Sequence, residues 1–199
     1  GNEGNEGEEN GDESVVFFYD FNDGTFNGWT SIDKDGDGFN WAIYGEGGID
    51  GTNAVCSWTN GYYTPENYLI TTETHTINDG DYLEWYVNTT DAFFYQDIYG
   101  VVVSTDGENF ETVMEETFAA PTMGYAVRTA DLSQYAGQTV HIGFVHKNGG
   151  YDSNGIGIDN VKYAKASGNE GGEGNEGGEG NEGEEEQPEL AEIVLGDGT

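Results

Sequence analysis

Three aspartates alternate with other residues in the segment DKDGDGFNW. Asp33, Asp35 and Asp37 stand at the first, third and fifth positions of an EF-hand calcium loop, and a glycine, Gly38, follows at the sixth. The twelfth position, where that loop carries a bidentate Glu, is Tyr44. The flanking segments WTSID and NWAIY are rich in aromatic and β-branched residues, which is typical of strands. The spacing therefore predicts a cation site inside a β-rich chain, where no helix closes it.

Three carboxylates this close together repel one another, and a hard divalent cation such as calcium would neutralise them. Gly36 and Gly38 permit a tight backbone around the ion, and the carbonyl of Phe39 is the expected fourth oxygen. The closing oxygen should come from another strand, and we expect it near residues 53–57. Turn formation alone is the alternative, because Asp and Gly are the commonest turn residues.

Other residues capable of chemistry do not form a catalytic pattern. His141 and His146 are five apart on one predicted strand, so they should face opposite sides, and His75 stands alone. Cys56 lies in an apolar run without a basic neighbour, which indicates a buried structural thiol. The glycine-rich stretch HKNGGYDSNGIGID lacks the Gly-Lys-Ser/Thr ending of a phosphate loop. The sequence therefore predicts a domain that is not an enzyme.

The net charge of the sequence disfavours two classes of partner. The 199 residues include 39 Asp and Glu and five Lys and Arg, for a formal net charge of −34. All five basic residues and 22 of the acidic ones lie in residues 15–166, which leaves that segment at −17. Such a charge disfavours nucleic acid and anionic membrane surfaces, and no apolar run is long enough for membrane insertion.

Composition divides the chain into four segments. Residues 1–14 and 167–187 are Gly, Asn and Glu repeats without apolar residues, so we predict acidic disordered linkers. Residues 15–166 have the size of one domain. Residues 188–199, PELAEIVLGDGT, begin a new apolar run and read as the truncated start of a following module. We expect a monomeric domain within a multidomain chain.

Short apolar runs separated by Gly, Asn and Asp predict an antiparallel β-sandwich. In DYLEWYV, Leu83, Trp85 and Val87 alternate with polar or amphipathic residues, which places them in the core. The pair Asp106-Gly107 predicts a hairpin turn, and LSQYAG predicts a helical turn. The predicted strands are VVFFYDF, WTSID, NWAIY, AVCSW, NYLITT, DYLEWYV, DIYGVVVS, FETVMEET, YAVRTADL, TVHIGFVHK and GIGIDNVKY.

Several strings in this segment resemble the cleaved adhesin domain family. They are DFNDGTFNGWTSIDKDGDGFNW, NAVCSW, TPENYLITT, LSQYAGQTVHIGFVHKN and GIGIDNVKY, and they occur in order over nearly the whole of residues 15–166. That family supplies the haemagglutinin and adhesin modules of gingipain-type secreted bacterial proteases. The resemblance implies a jelly-roll β-sandwich with structural calcium, secreted or held at the cell surface in a multidomain chain.

A second calcium site is expected mainly from this resemblance. Asp20 and Asn22 point to the same side of the first strand, and Asp159 lies on the last strand, which often pairs with the first. The family more usually has an acidic residue at the position of Asn22, and an amide is a weaker ligand. Cys56 is the single cysteine, so no disulfide can form within the chain, and bound calcium would supply the missing stabilisation.

These features favour a non-catalytic, calcium-stabilised adhesion module that binds host surface protein or glycan. The alternatives are a carbohydrate-binding module accessory to a protease or glycanase domain, and a spacer without a ligand. Aromatic residues near predicted loops could form the binding surface or could pack in the core: Trp58, Tyr62, Tyr63, Phe93, Phe94, Tyr95 and Tyr151.

Overall fold

The computed structural model describes residues 14–59 and 64–165. The predicted linkers, the predicted following module, Tyr62 and Tyr63 lie outside the described residues, apart from Ser14 at the end of the first linker. Within the described ranges the chain is all-β, as the sequence predicts. The two helical segments are single 3-10 turns, Ile49–Gly51 and Ser133–Tyr135.

The described residues form twelve strands, and each run predicted from sequence corresponds to one of them. The strands are β1 Ser14–Tyr19, β2 Trp29–Asp33, β3 Trp41–Tyr44, β4 Ala54–Trp58, β5 Glu66–Thr71, β6 His75–Thr76, β7 Tyr82–Thr89, β8 Tyr95–Ser104, β9 Glu111–Thr117, β10 Ala126–Asp131, β11 Thr139–Ser153 and β12 Gly155–Lys165. The two-residue strand β6 is too short to show a pattern in the sequence.

The strands form two antiparallel sheets. The first has the order β10-β7-β12-β4-β3, and β1 also pairs with β12. The second has the order β2-β5-β11-β8-β9, and β6 also pairs with β11. Neighbouring strands within each sheet are mostly distant in sequence, which is how a jelly-roll sandwich brings the two ends of a domain together.

The core lies between the sheets and is built from alternating residues. Leu83, Trp85 and Val87 of β7 are fully buried, as predicted. The Trp85 ring packs edge-on against Phe144 of the second sheet, with ring centroids 5.5 Å apart. Burying a large apolar side chain contributes about 1.5–3 kcal/mol, so rows of such residues on both inner faces hold the sandwich together.

The first strand pairs with the last, as expected. In the β1–β12 ladder Tyr19 stands opposite Val161. Asp20 follows β1 directly, and Asp159 lies two residues before Val161 on β12. The pairing therefore brings the two acidic residues of the second predicted site to one edge of the first sheet.

Turn chemistry also follows the sequence. The β8–β9 connection turns at Asp106, whose Oδ1 accepts hydrogen bonds from the backbone N–H groups of Glu108 and Asn109. The helical turn predicted at LSQYAG is the 3-10 turn Ser133–Tyr135. Among the described residues, no helix has the length and apolar character required to cross a membrane.

Candidate functional site

The loop between β2 and β3 brings the three predicted aspartates together. One carboxylate oxygen from each of Asp33, Asp35 and Asp37 lies within 4.8 Å of the others. Gly36 and Gly38 have φ angles of 72° and 85°, a region that residues with a side chain rarely adopt. The two glycines thus allow the backbone to curl around the carboxylates, as the sequence predicts.

Backbone N–H groups of the loop hold the carboxylates in place. Gly36 and Gly38 donate to the two oxygens of Asp33 at 2.7 and 3.0 Å. Phe39 donates to Oδ1 of Asp37 at 2.8 Å. Oδ2 of Asp37 is buried and has no hydrogen-bond partner among the described groups. A carboxylate oxygen without a partner is costly, and a cation would satisfy it.

Electrostatics also favour a cation at this loop. Partial burial raises the pKa of Asp35, and repulsion from Asp37 and Asp33 adds to the effect. A cation bound among the three carboxylates would offset both the cost of burying Asp35 and the repulsion between the carboxylates. The arrangement is therefore suited to a hard cation, although the same hydrogen bonds also serve a turn.

The loop contacts the start of β5. The N–H of Glu66 donates to Oδ1 of Asp35 at 3.2 Å, and the N–H of Lys34 donates to the Glu66 carbonyl at 3.1 Å. Asn53 lies elsewhere, because its N–H donates to Oδ1 of Asn22 at 3.0 Å. Of the segment 53–57, the Asn53 end is turned toward Asn22, and the Ser57 end stands opposite Trp41, the first residue of β3 after the loop. Strand order puts β5 beside β2, so the start of β5 is the nearer neighbour.

The second predicted group lies at the β1–β12 edge. The N–H of Asn22 donates to Oδ1 of Asp20 at 3.1 Å. Asp159 is 1% exposed, and its two oxygens accept hydrogen bonds from the N–H groups of Ile49 and Asn160 at 3.0 and 2.7 Å. Burial raises the pKa of Asp159, and the nearby charge of Asp20 raises it further. Asp20 thus lies near enough to act on the buried carboxylate of Asp159, whereas the side-chain oxygen of Asn22 accepts a hydrogen bond from the Asn53 N–H.

Three buried polar side chains, hydrogen-bonded to one another, join the two sheets, and the sequence did not predict them. Nε2 of His146 donates to Oδ1 of Asp97 at 3.0 Å, and Nδ1 lies 2.9 Å from Oγ of Ser57. All three side chains are fully buried. His146 faces the core and His141 the outer side of β11, as their spacing predicts, and Nδ1 of His141 bonds to the Thr71 carbonyl. Only long-range pairing assembles these three residues, so no local signal could have found them.

A match to a family model establishes the family of this domain. The Cleaved Adhesin Domain model matches residues 15–163, which is most of the chain. The chain belongs to the cleaved adhesin domain family.

Relatives of this adhesin domain include large proteins of Porphyromonas gingivalis. It is 34% identical to Hemagglutinin A over 151 residues, 60% of this chain and 7% of that protein. It is 32% identical to Lys-gingipain over 164 residues, 68% of this chain and 9% of that protein. The chain therefore spans less than a tenth of either relative.

Solved structures place the adhesin domain in the same fold. A cleaved adhesin domain of Lys-gingipain superposes with a TM-score of 0.60 at 29% identity, covering 74% of this chain and 98% of that one. The CBM22-2 xylan-binding domain of Paenibacillus barcinonensis superposes with a TM-score of 0.55 at 10% identity, covering 75% and 99%. The latter likeness shows the fold alone.

The described aromatic candidates of the adhesin domain divide into two groups. Phe93, Phe94 and Tyr151 are 83%, 50% and 76% exposed, so the packing interpretation is wrong for these three. Trp58 and Tyr95 are half-buried.

Cys56 is buried and free, and burial raises the pKa of its thiol to about 12. A structural role for Cys56, as predicted, agrees with both observations.

Proposed function

We propose that this adhesin domain is a non-catalytic, calcium-stabilised module that binds surface protein or glycan, and that it acts in a secreted or cell-surface chain. The observation that carries the binding role is the exposure of Phe93, Phe94 and Tyr151. Large aromatic side chains left in water mark interaction surfaces, because burying them against a partner is favourable. The strand pairing of Tyr95 with Ser153 puts all three near one end of the sandwich.

Calcium supplies stability in this proposal. Asp33, Asp35, Asp37 and the carbonyl of Phe39 would hold one ion, and the geometry of the three carboxylates supports this assignment. Asp20, Asn22 and Asp159 would hold a second. A bound ion would offset the repulsion within each group, which matters in a domain without a disulfide.

The non-catalytic part of the proposal rests on burial. Ser57, His146 and Asp97 have the residue types of a nucleophilic triad, yet none reaches solvent. Asp97 also accepts from the backbone N–H groups of Asn154 and Gly155, which ties it into the sandwich. A substrate could not reach Ser57 Oγ without opening the core, so we assign Ser57, His146 and Asp97 a structural role.

Binding of the labelled domain to erythrocytes tests the function. We expect saturable binding that Phe93→Ser and Phe94→Ser weaken at least about tenfold, since exposed aromatics are typical hot spots. Phe18→Ser is the matched control, because Phe18 is 54% exposed on β1, away from this end. If the domain binds neither erythrocytes nor immobilised plasma and matrix proteins, the proposal is overturned and the interpretation as a spacer without a ligand remains.

The second candidate is a carbohydrate-binding module accessory to a protease or glycanase domain. It is favoured by the fold likeness to the xylan-binding domain above and to a CBM61 module in complex with β-1,4-galactotriose, at a TM-score of 0.50 and 14% identity. Treating the cells with proteases or with glycosidases shows whether the ligand is a protein or a glycan. Loss of binding only after glycosidase treatment would identify a glycan ligand, which the second candidate requires.

A further inference from the structure

The outer face of the first sheet carries a cleft beside two glycines of β12, whose outward sides are covered by side chains. On β12, Gly155 and Gly157 face outward while Ile156 and Ile158 fill the core. A Cβ at Gly157 would lie 2.4 Å from Oδ1 of Asn88, and one at Gly155 would lie 2.9 Å from Cδ1 of Trp58. Only glycine fits under these side chains, so the GIGID sequence lets Asn88 and Trp58 lie close over the central strand at the base of the cleft.

Neighbouring strands form the walls in register. Gly157 stands opposite Cys56 of β4 on one side and Asn88 of β7 on the other. Gly155 stands opposite Trp58. The cleft therefore lies between an aromatic wall on β3 and β4 and a polar wall formed by Asn88 of β7 and by Thr90, which follows β7.

The aromatic wall is a pair of rings. Tyr44 and Trp58 meet edge to face, with ring centroids 5.3 Å apart. Tyr44 is 52% exposed although it lies beside this cleft. A T-shaped pair holds both rings in fixed orientations, which suits a stacking surface for a flat, CH-rich partner.

The opposite wall offers neutral polar groups. Oδ1 of Asn88 is buried and has no hydrogen-bond partner among the described groups, so this amide has unused hydrogen-bonding capacity. Thr90 and Asn154 stand beside it, with Asn154 Nδ2 donating to Thr90 Oγ1 at 3.0 Å. The hydroxyl of Tyr125 closes the far end by donating to the Gly47 carbonyl at 2.8 Å.

Size and charge define the class of ligand. The cleft consists of cavities of about 490 and 180 Å³ that share Gly47, Asn88 and Met123. Small-molecule sites fall in roughly the range 300–1,000 Å³. Glu46 and Asp50 lie exposed at the rim, and no Lys or Arg is among the described lining residues. An anionic ligand would be repelled, while a neutral one with many hydroxyl groups matches the amide, hydroxyl and aromatic walls.

We propose that this cleft binds a neutral oligosaccharide, with a sugar ring against Tyr44 and Trp58 and its hydroxyl groups bonded to Asn88 and Thr90. The inference rests on the proposed binding function and adds to it a second surface, apart from Phe93, Phe94 and Tyr151, with a stated ligand class. A basic peptide is the competing occupant, since the rim is acidic. The interior favours the sugar, because the described lining residues other than Glu46 and Asp50 are neutral, and these two are exposed.

The experiment is a glycan array of neutral oligomers of β-linked glucose, galactose, xylose, mannose and N-acetylglucosamine, with sialylated and sulfated counterparts, followed by calorimetry on the hits. We expect binding to at least one neutral series and weaker binding to its anionic counterparts. Trp58→Ala and Asn88→Ala should each weaken it about tenfold or more. Phe18→Ala, outside the cleft, should leave it unchanged.

A third variant and a peptide arm complete the test. Gly157→Ala puts a methyl group where Oδ1 of Asn88 lies, so it should displace that side chain and weaken binding. Its melting temperature shows whether it folds, and Trp58→Ala and Asn88→Ala decide the matter if it does not. Failure of every neutral glycan to bind at about 1 mM, or full binding by both wall variants, would overturn the proposal. Binding of Lys- and Arg-rich peptides that Trp58→Ala weakens, without glycan binding, would assign the cleft to peptide. Erythrocyte binding that survives in these cases would leave the proposed function standing.

Discussion

The backbone N–H of Ile49 donates a hydrogen bond to Oδ2 of Asp159 across 110 positions of the chain, at 3.0 Å. This bond fastens the segment that forms one rim of the outer cleft to the last strand. Asp159 is also the buried carboxylate of the second predicted calcium group. The position of the rim and the ionisation of Asp159 are therefore coupled.

The stability of the metal-free domain should carry a pH signature of Asp159. Burial raises its pKa in the folded state, so its stabilising contribution is present below the unfolded pKa and is lost as pH rises through the folded pKa. We expect the difference in unfolding free energy between wild type and Asp159→Asn to fall as pH rises above the unfolded pKa of an aspartate, about 4, in calcium-free buffer. Urea titrations at three pH values measure it. A difference that does not change with pH would contradict a raised pKa of Asp159 in the folded state.

Calcium should raise the melting temperature. An ion that binds only the folded state adds about 2.7 kcal/mol when its free concentration is roughly 100 times Kd. For a domain of this size that corresponds to about 5–10 °C. Chelation should remove the increment, and magnesium, which holds its water shell, should not restore it.

Substitutions in the loop between β2 and β3 test whether the calcium-dependent rise in melting temperature, the calcium increment, comes from that loop. Asp35→Asn and Asp37→Asn should each reduce the increment and leave the core intact. Asp106→Asn is the matched control: Asp106 also makes turn bonds, so the variant should lower the baseline melting temperature and keep the increment. Equal melting of wild type in chelator and in millimolar calcium would show that the three aspartates are turn formers only.

The buried chain of Ser57, His146 and Asp97 should be structural and unreactive. His146→Phe leaves Oδ1 of Asp97 without its partner in the core, which should cost about 3 kcal/mol of unfolding free energy. A fluorophosphonate probe should not label the folded domain, because Ser57 is fully buried. Labelling that Ser57→Ala abolishes would instead establish a reachable nucleophile.

Cys56 should be protected in the folded state. Its thiol is buried, and burial raises its pKa to about 12, so little thiolate forms at pH 8. Iodoacetamide at pH 8 should modify the native domain far more slowly than the domain in denaturant, as mass spectrometry would measure. Comparable rates would mean that the β4 region opens readily.

Local patterns predicted the strands, the core positions of β7, the turn at Asp106 and the clustering of Asp33, Asp35 and Asp37. Each depends on residues a few positions apart, whose relative directions follow from strand alternation or turn geometry. The pairing of the first strand with the last was expected from the resemblance, and the β1–β12 ladder confirms it.

Long-range packing decided the rest. Which strand lies beside the Asp33 loop depends on sheet order, so Glu66 is its neighbour and Asn53 is not. The Ser57, His146 and Asp97 chain joins residues from three strands, and the cleft appears only when the GIGID glycines of β12 lie between β4 and β7. In an antiparallel sandwich these neighbours are set by how two whole sheets bury their apolar faces, a global condition that no short stretch of sequence encodes.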